Sequence, residues 1–187
     1  MRIIAGNLKG KKIIIPNDNF TRPLKDLTKE SIFNIIEHSN LLNINLDNSK
    51  VLDLFSGVGS FGLECVSRGA ESVTFFENYS EVLKILKKNI INLNLEKQTD
   101  ILEKNIFKNN SLNFLNEKFD IIFLDPPYKE KKINLLIKKI DEFDLLKKKG
   151  IVIIHRHKNE KDIFTNKFKI LIEKKYGISK IIFGKIV

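Results

Sequence analysis

The sequence predicts an α/β fold: a mostly parallel, Rossmann-like sheet of seven strands that ends in an antiparallel hairpin and carries a small N-terminal hairpin and helix. Three observations predict it. From Lys50 onward, short apolar runs alternate with amphipathic stretches, which is the rhythm of strand–helix units laid on a parallel sheet. A Gly-x-Gly-x-x-Gly run, Gly57 to Gly62, falls between the first such strand and its helix. At the end of the chain the rhythm breaks: Phe168 to Ile172 and Lys180 to Val187 are both strand-like, and too little chain separates them for a right-handed crossover, so they pair antiparallel.

The elements follow in order. Arg2 to Ile15 reads as a hairpin, with Ile3-Ile4-Ala5 on one arm, a turn from Gly6-Asn7 to Gly10, and Lys11 to Ile15 on the other, closed by Pro16. Thr21-Arg22-Pro23 opens a helix whose apolar positions are Leu24, Leu27, Ile32 and Ile35. The five parallel strands are expected at Val51 to Phe55, Ser72 to Phe76, Ile101 to Glu103, Ile121 to Leu124 and Ile151 to His155. Ser80 is a candidate N-cap for a helix with the stripe Leu83, Leu86 and Ile90 and with Lys87-Lys88 towards its end. A second stripe, Ile133, Leu136, Ile140 and Phe143, lies between the fourth and fifth strands.

A chain of 187 residues, 42% hydrophobic, buries one substantial core. A single domain over residues 1–187 is expected, with residues 1–40 as an extension and 50–187 as the core. Nothing approaches a membrane-spanning apolar stretch, and Met1 leads directly into strand-like residues; a soluble cytoplasmic protein is expected. Cys65 is the single cysteine, which excludes an intramolecular disulfide and a Cys-rich zinc site and reads as a small buried hydrophobe. The formal charge of +10 suits a polyanionic partner. Yet only Arg2, Arg22, Arg68 and Arg156 among the 33 basic residues are arginine, and the chain is rich in Asn and Ile. Charge alone therefore leaves a nucleic-acid binder and a lysine-rich enzyme equally open.

The glycine run is more informative. Glycines between a strand and a helix let the backbone turn sharply and let a ligand approach closely. Glu77, at the end of the next strand, can accept hydrogen bonds from both hydroxyls of a ribose. These features alone fit a dinucleotide as well as S-adenosylmethionine. Charge separates the two, because Asp53 at the mouth of the loop repels a pyrophosphate and attracts the ammonium and sulfonium of S-adenosylmethionine. Asp53, Ser56, Gly57, Gly59 and Glu77 are the candidate cofactor residues, with Asn78 at the ribose edge and Asn105 beyond the third strand for the adenine amino group.

The run Asp125-Pro126-Pro127-Tyr128 ends the fourth strand, where open sheets bind ligands. Its residue types suit methylation of an exocyclic amine, whose lone pair is delocalised into the base and is a poor nucleophile. Accepting the two N–H bonds at the Asp125 side chain and the Pro126 carbonyl aligns the nitrogen and favours pyramidalisation. Pro127 stiffens the turn, and Tyr128 stacks on the base. The loop defines the reaction class and leaves the base open. His155 and His157 fall on one face of a strand end and read as polar edge residues rather than metal ligands.

With these motifs in place, the sequence resembles the RsmD family of bacterial 16S rRNA guanine-N2 methyltransferases. The resemblance rests on Arg2 to Gly6 with Lys9 to Lys12, Thr21-Arg22-Pro23 followed by Lys29 to Asn34, and Leu52 to Glu64 with Ser67 to Ala70. Asp125 to Tyr128 and Tyr176-Gly177 complete it, so it spans essentially the whole chain. It implies the class I S-adenosylmethionine-dependent methyltransferase fold and transfer of a methyl group to the N2 amine of a guanine in 16S rRNA. It further implies an assembled or partly assembled small ribosomal subunit as partner; a monomer is expected, and no metal is needed because the cationic cofactor supplies the electrophile. Arg2, Lys9, Lys11, Lys12 and Arg22 are then the expected RNA contacts. The alternatives are an amino methyltransferase of another RNA or of DNA adenine, and a non-catalytic ribosome-assembly protein.

Overall fold

The computed structural model describes residues 1–16, 24–108, 111–113 and 115–187. Within them the order is α1 (Asp26–His38), β1 (Lys50–Leu54), α2 (Ser60–Ser67), β2 (Ser72–Phe76), α3 (Ser80–Leu93) and β3 (Thr99–Leu102). There follow β4 (Phe119–Leu124), α4 (Ile133–Glu142), β5 (Leu146–His157), β6 (Phe168–Tyr176) and β7 (Ser179–Ile186). The sheet runs β3-β2-β1-β4-β5-β7-β6. β1 to β5 are parallel, and β7 lies antiparallel between β5 and β6. The chain moves outward from β1 through β3 and then returns to β4 on the other side of β1. Connections leaving β1 and β4 therefore diverge and open a crevice at the carboxyl edge of the sheet.

Strand alternation divides the core into two layers. Val51, Val73, Phe75, Ile121, Phe123, Ile151 and Ile153 pack with the apolar faces of α1, α2 and α3. Leu52, Leu54, Ile122, Leu124, Val152 and Ile154 pack with Ile133, Leu136, Ile137 and Ile140 of α4. Cys65 is buried in the first layer, and burial pushes its thiol up from the ordinary range. No helix among the described residues is long and apolar enough to cross a membrane.

Several boundaries differ from expectation for local reasons. β1 stops at Leu54 because Phe55 adopts φ 62°, a left-handed turn that begins the glycine loop. β5 starts at Leu146 rather than Ile151, since its lysine-rich start pairs with β4 across a bulge near Phe119 and Lys147 reaches the Asp120 carboxylate at 2.7 Å. Ser80 is the first residue of α3 and not its cap; the Tyr79 amide is instead satisfied by Glu77 from upstream. The N-terminal hairpin is narrow, with a single bridge between Arg2 and Lys12.

The expected helix start at Thr21-Arg22-Pro23 lies outside the described residues. α1 turns its face differently from the pattern read in the sequence: Leu27 is 79% exposed, while Lys29 is buried beside Ile32, Phe33 and Ile36. The cause is a buried ionic cluster. Glu64 of α2 accepts the amides of Ile4 and Ala5 at 2.8 and 2.9 Å, pairs with Lys29 at 3.4 Å, and pairs with Arg68 at 2.9 Å. Lys29 also donates to the Arg2 carbonyl at 2.8 Å. Burial pushes the Lys29 ammonium below the usual lysine range, and the neighbouring Glu64 partly offsets this. The cluster ties the hairpin and α1 to the helix that follows the glycine loop.

Removing one partner of such a cluster strands the others in a dry environment. Glu64→Ala is expected to lower the unfolding free energy by about 3–5 kcal/mol, the usual penalty for breaking a buried ion pair, read from urea titration.

Candidate active site

Register places three carboxylates at one edge. β1 lies between β2 and β4, with Leu54 opposite both Phe76 and Leu124. The next residues on each strand are Phe55, Glu77 and Asp125, and Asp53 sits one residue inside the edge. Cross-links hold these ends together: Ser56 donates its amide to the Phe76 carbonyl at 3.0 Å, and Asp125 donates its amide to the Leu54 carbonyl at 3.3 Å.

The glycine loop is built around two of the carboxylates. Gly57 has φ 55° with open space where a Cβ would stand, and its amide donates to Glu77 Oε2 at 2.9 Å. Glu77 Oε1 accepts the Asn78 and Tyr79 amides at 2.8 and 2.9 Å. A carboxylate offers about four acceptor sites, so Glu77 organises the loop and retains capacity for a hydroxyl. Gly59 precedes α2 as its N-cap. Gly62 is needed for close packing, since a Cβ there would lie 2.3 Å from the Phe75 ring.

Asp53 is 1% exposed. Its Oδ2 accepts the Gly62 amide at 3.1 Å, whereas Oδ1 is buried without a hydrogen-bond partner. Burial is the main force holding this carboxyl well above its ordinary range, and Asp125 and Glu77 add like-charge repulsion. Asp53 thus spends one oxygen on the first turn of α2 and keeps the other without a partner among the described residues. An orphaned carboxylate oxygen at a glycine loop with bare space is a fit for a cationic nucleotide such as S-adenosylmethionine, and a misfit for a pyrophosphate.

Asn78 is exposed beside Glu77. Asn105 lies beyond β3, where its Oδ1 accepts the Phe107 amide at 2.9 Å, and the Phe107 ring packs 5.7 Å from Phe55. Ser56 is buried, with its hydroxyl on the Phe76 carbonyl at 3.2 Å. Arg2, Lys9, Lys11 and Lys12 are all exposed and form no ion pair among the described residues; Arg22 lies outside those residues.

The Asp-Pro-Pro-Tyr loop is braced from β5. Pro126 is buried and Pro127 exposed. The Pro127 carbonyl accepts the Glu130 amide at 2.8 Å and Arg156 Nη1 at 3.4 Å, and Arg156 Nη2 donates to the Glu130 carbonyl at 2.8 Å. Arg156 is fully buried and paired with Asp162 at 3.0 Å. The expectation that His155 is an edge residue is corrected: it is 6% exposed, with Nδ1 2.8 Å from Asp125 Oδ1 and Nε2 2.9 Å from Ser179 Oγ. Tyr128 is half-buried, and the rings of His155 and His157 meet it edge-on at 6.1 and 5.3 Å. Sequence reasoning missed Arg156, Ser179 and the inward turn of His155. The available signal was polar residues continuing an apolar strand towards the motif-bearing edge.

A family model described as "Conserved hypothetical protein 95" matches residues 1–185. Ribosomal RNA small subunit methyltransferase D of Haemophilus influenzae is 33% identical over 183 residues, covering 95% of this chain and 90% of the relative. A solved structure from Haemophilus influenzae, 30% identical, superposes on 100% of this chain and 98% of that one with a TM-score of 0.76. Ribosomal protein L11 methylase from Lactobacillus delbrueckii subsp. bulgaricus, 19% identical, shares the fold alone, with a TM-score of 0.59 over 83% of this chain and 76% of that one.

The raised Asp53 carboxyl supplies a pH test. Between the ordinary Asp range and its elevated folded value, the folded chain binds the proton that the unfolded chain has lost, so this group's contribution to stability falls as pH rises through that window. Thermal unfolding of ligand-free Asp53→Asn should show higher stability than wild type at neutral pH, with the gap closing under acid conditions. A cationic ligand favours the ionised form, so calorimetry should show affinity for S-adenosylmethionine declining in wild type as pH falls. The variant should bind weakly throughout; an unchanged affinity in Asp53→Asn would sink the assignment.

Proposed function

Because this chain belongs to the conserved hypothetical protein 95 family, the RsmD family of methyltransferases, we propose that it methylates the N2 amine of a guanine in 16S rRNA, using S-adenosylmethionine. The observation that carries this is Asp125, set at the carboxyl edge of β4 beside the acidic glycine loop and held at a fixed oxygen by His155. A relative 33% identical over nearly the whole chain is named for methylation of small-subunit ribosomal RNA, which supports the substrate class.

When bound, S-adenosylmethionine supplies a methyl group on a sulfonium. Asp53 would take its ammonium, Glu77 a ribose hydroxyl at its remaining acceptor site, with Ser56, Gly57 and Gly59 lining the loop, Asn78 at the ribose edge and Asn105 near the adenine. Asp125 and the Pro126 carbonyl accept the two amine N–H bonds and hold the nitrogen lone pair towards the methyl carbon. Methyl transfer would break the C–S bond as the C–N bond forms, leaving the electron pair on a neutral thioether sulfur, and the Asp125 carboxylate would stabilise the cationic nitrogen until its proton is released to water. Tyr128 presents an aromatic face to the base, which must be unstacked to reach it.

The RNA contacts fall to Arg2, Lys9, Lys11 and Lys12, exposed on a hairpin tied to α2 through Glu64. Arg22 belongs with them by its place in the sequence. The substrate is a cytoplasmic small ribosomal subunit or an assembly intermediate, approached by a monomer. Residues 1–187 act as one domain in this scheme.

Asp125→Ala should leave S-adenosylmethionine binding near wild type and cut methylation by about a hundredfold or more, as for a group that acts mainly in the transition state. Wild-type turnover in that variant removes the amine-orienting mechanism. Glu77→Ala should weaken cofactor binding by roughly 1–3 kcal/mol, the scale of hydrogen bonds to a charged acceptor. With labelled cofactor, unmodified small subunits should yield N2-methylguanosine, and activity should fall steeply with salt; label in N6-methyladenosine or in duplex DNA moves the assignment to the other amines.

A further inference from the structure

We propose that His155 is the positioning residue for Asp125, selecting which carboxylate oxygen is left to meet the substrate amine. The inference rests on the reading of Asp125 as the amine acceptor. His155 is carried by β5, directly beside β4, and is 6% exposed. Both of its ring nitrogens are engaged: Nδ1 lies 2.8 Å from Asp125 Oδ1, and Nε2 lies 2.9 Å from Ser179 Oγ.

A carboxylate oxygen only accepts, so Nδ1 carries a proton and donates it to Asp125. Asp125 thus decides which nitrogen carries the proton, and the hydroxyl of Ser179, the first residue of β7, which is 6% exposed and paired with Tyr176 across the Gly177 turn, adapts to Nε2. Free to rotate about its terminal torsion, a carboxylate offers either oxygen in a broad range of directions. With Oδ1 held by an N–H from the sheet, Oδ2 alone remains for the amine, in one orientation. The same ring meets Tyr128 edge-on at 6.1 Å, so one side chain aligns both the acceptor and the aromatic surface of the site. Groups that orient a reacting side chain in this way contribute through geometry rather than through contact with the substrate.

Two amide substitutions separate positioning from packing. In His155→Asn the amide nitrogen takes the place of Nδ1 and can still donate to Asp125; in His155→Gln the amide reaches the place of Nε2 and cannot. The measurements are kcat and KM on unmodified small subunits, S-adenosylmethionine affinity by calorimetry, and thermal unfolding of each variant. His155→Gln is expected to lose about 10- to 100-fold in kcat, the scale found when an orienting outer partner is removed, with cofactor affinity unchanged. His155→Asn should remain near wild type although it fills less of the site, and adding His155→Gln to Asp125→Asn should cost nothing beyond Asp125→Asn alone. If the Gln variant equals or exceeds the Asn variant, or if the losses add, His155 acts by packing and the proposal is wrong. If Asp125→Asn alone turns over like wild type, the reading of Asp125 fails first, and the two failures are told apart by that control.

Discussion

A carboxylate buried with one oxygen unpartnered is the constraint on which the site depends. Asp53 sits one residue inside the edge of the central strand, where β2 and β4 flank it with Glu77 and Asp125 at their ends. Desolvation is the larger burden, and the two neighbouring acids add to it. A fold that only needed a cap for α2 would satisfy Gly62 with a serine or with solvent. Retaining an acid there makes sense when the resulting strain is relieved by a cation that enters from the loop. The left-handed turn at Phe55 and Gly57, and the close approach at Gly62, are the backbone means by which the loop stays open above it.

The N-terminal segment is joined to this arrangement and does not hang beside it. Glu64 accepts two amides of the hairpin and pairs with Lys29 of α1, while Ser67 contacts Ala5 and Leu8 through its hydroxyl at 2.6 and 3.0 Å. Both residues lie on α2, the helix whose Gly62 amide is taken by Asp53. Basic residues exposed on the hairpin are therefore held at a fixed distance from the glycine loop. Aromatic stacking reinforces the link, with Phe33 of α1 at 5.2 Å from Phe61 of α2 and Phe61 at 3.9 Å from Phe123 of β4. Such preorganisation suits recognition of a shaped polyanion by a chain with little surface to spare.

The sheet, its direction of pairing and the two motif loops were legible in the sequence because each depends on local pattern: alternating apolar runs, glycines between strand and helix, an acid before two prolines. Element boundaries were less legible, since β5 begins with lysines that only partner contacts across β4 make strand-like. The face of α1 was misjudged because a lysine reads as polar until its carboxylate is found, and Glu64 is remote in sequence. His155 was missed for the same reason: its partners Asp125 and Ser179 stand 30 and 24 residues away. Local patterns identify a motif residue more readily than the distant partner it contacts.

Adjacent residues of β5 show how the Asp-Pro-Pro-Tyr loop is kept in shape. Successive side chains of a strand point to opposite faces, so His155 and Arg156 depart on different sides of the sheet. Each still reaches the loop leaving β4, His155 at its first residue and Arg156 at the Pro127 and Glu130 carbonyls. The loop is thus gripped at both ends by one strand. Arg156 tolerates complete burial because Asp162 and the two carbonyls meet its fork. Fixing a free residue costs about 1–2 kcal/mol in backbone entropy, and the two prolines and the β5 clamps meet most of that cost when the chain folds. Under the proposed function, substrate then encounters a loop already ordered, which leaves its binding energy for aligning the amine.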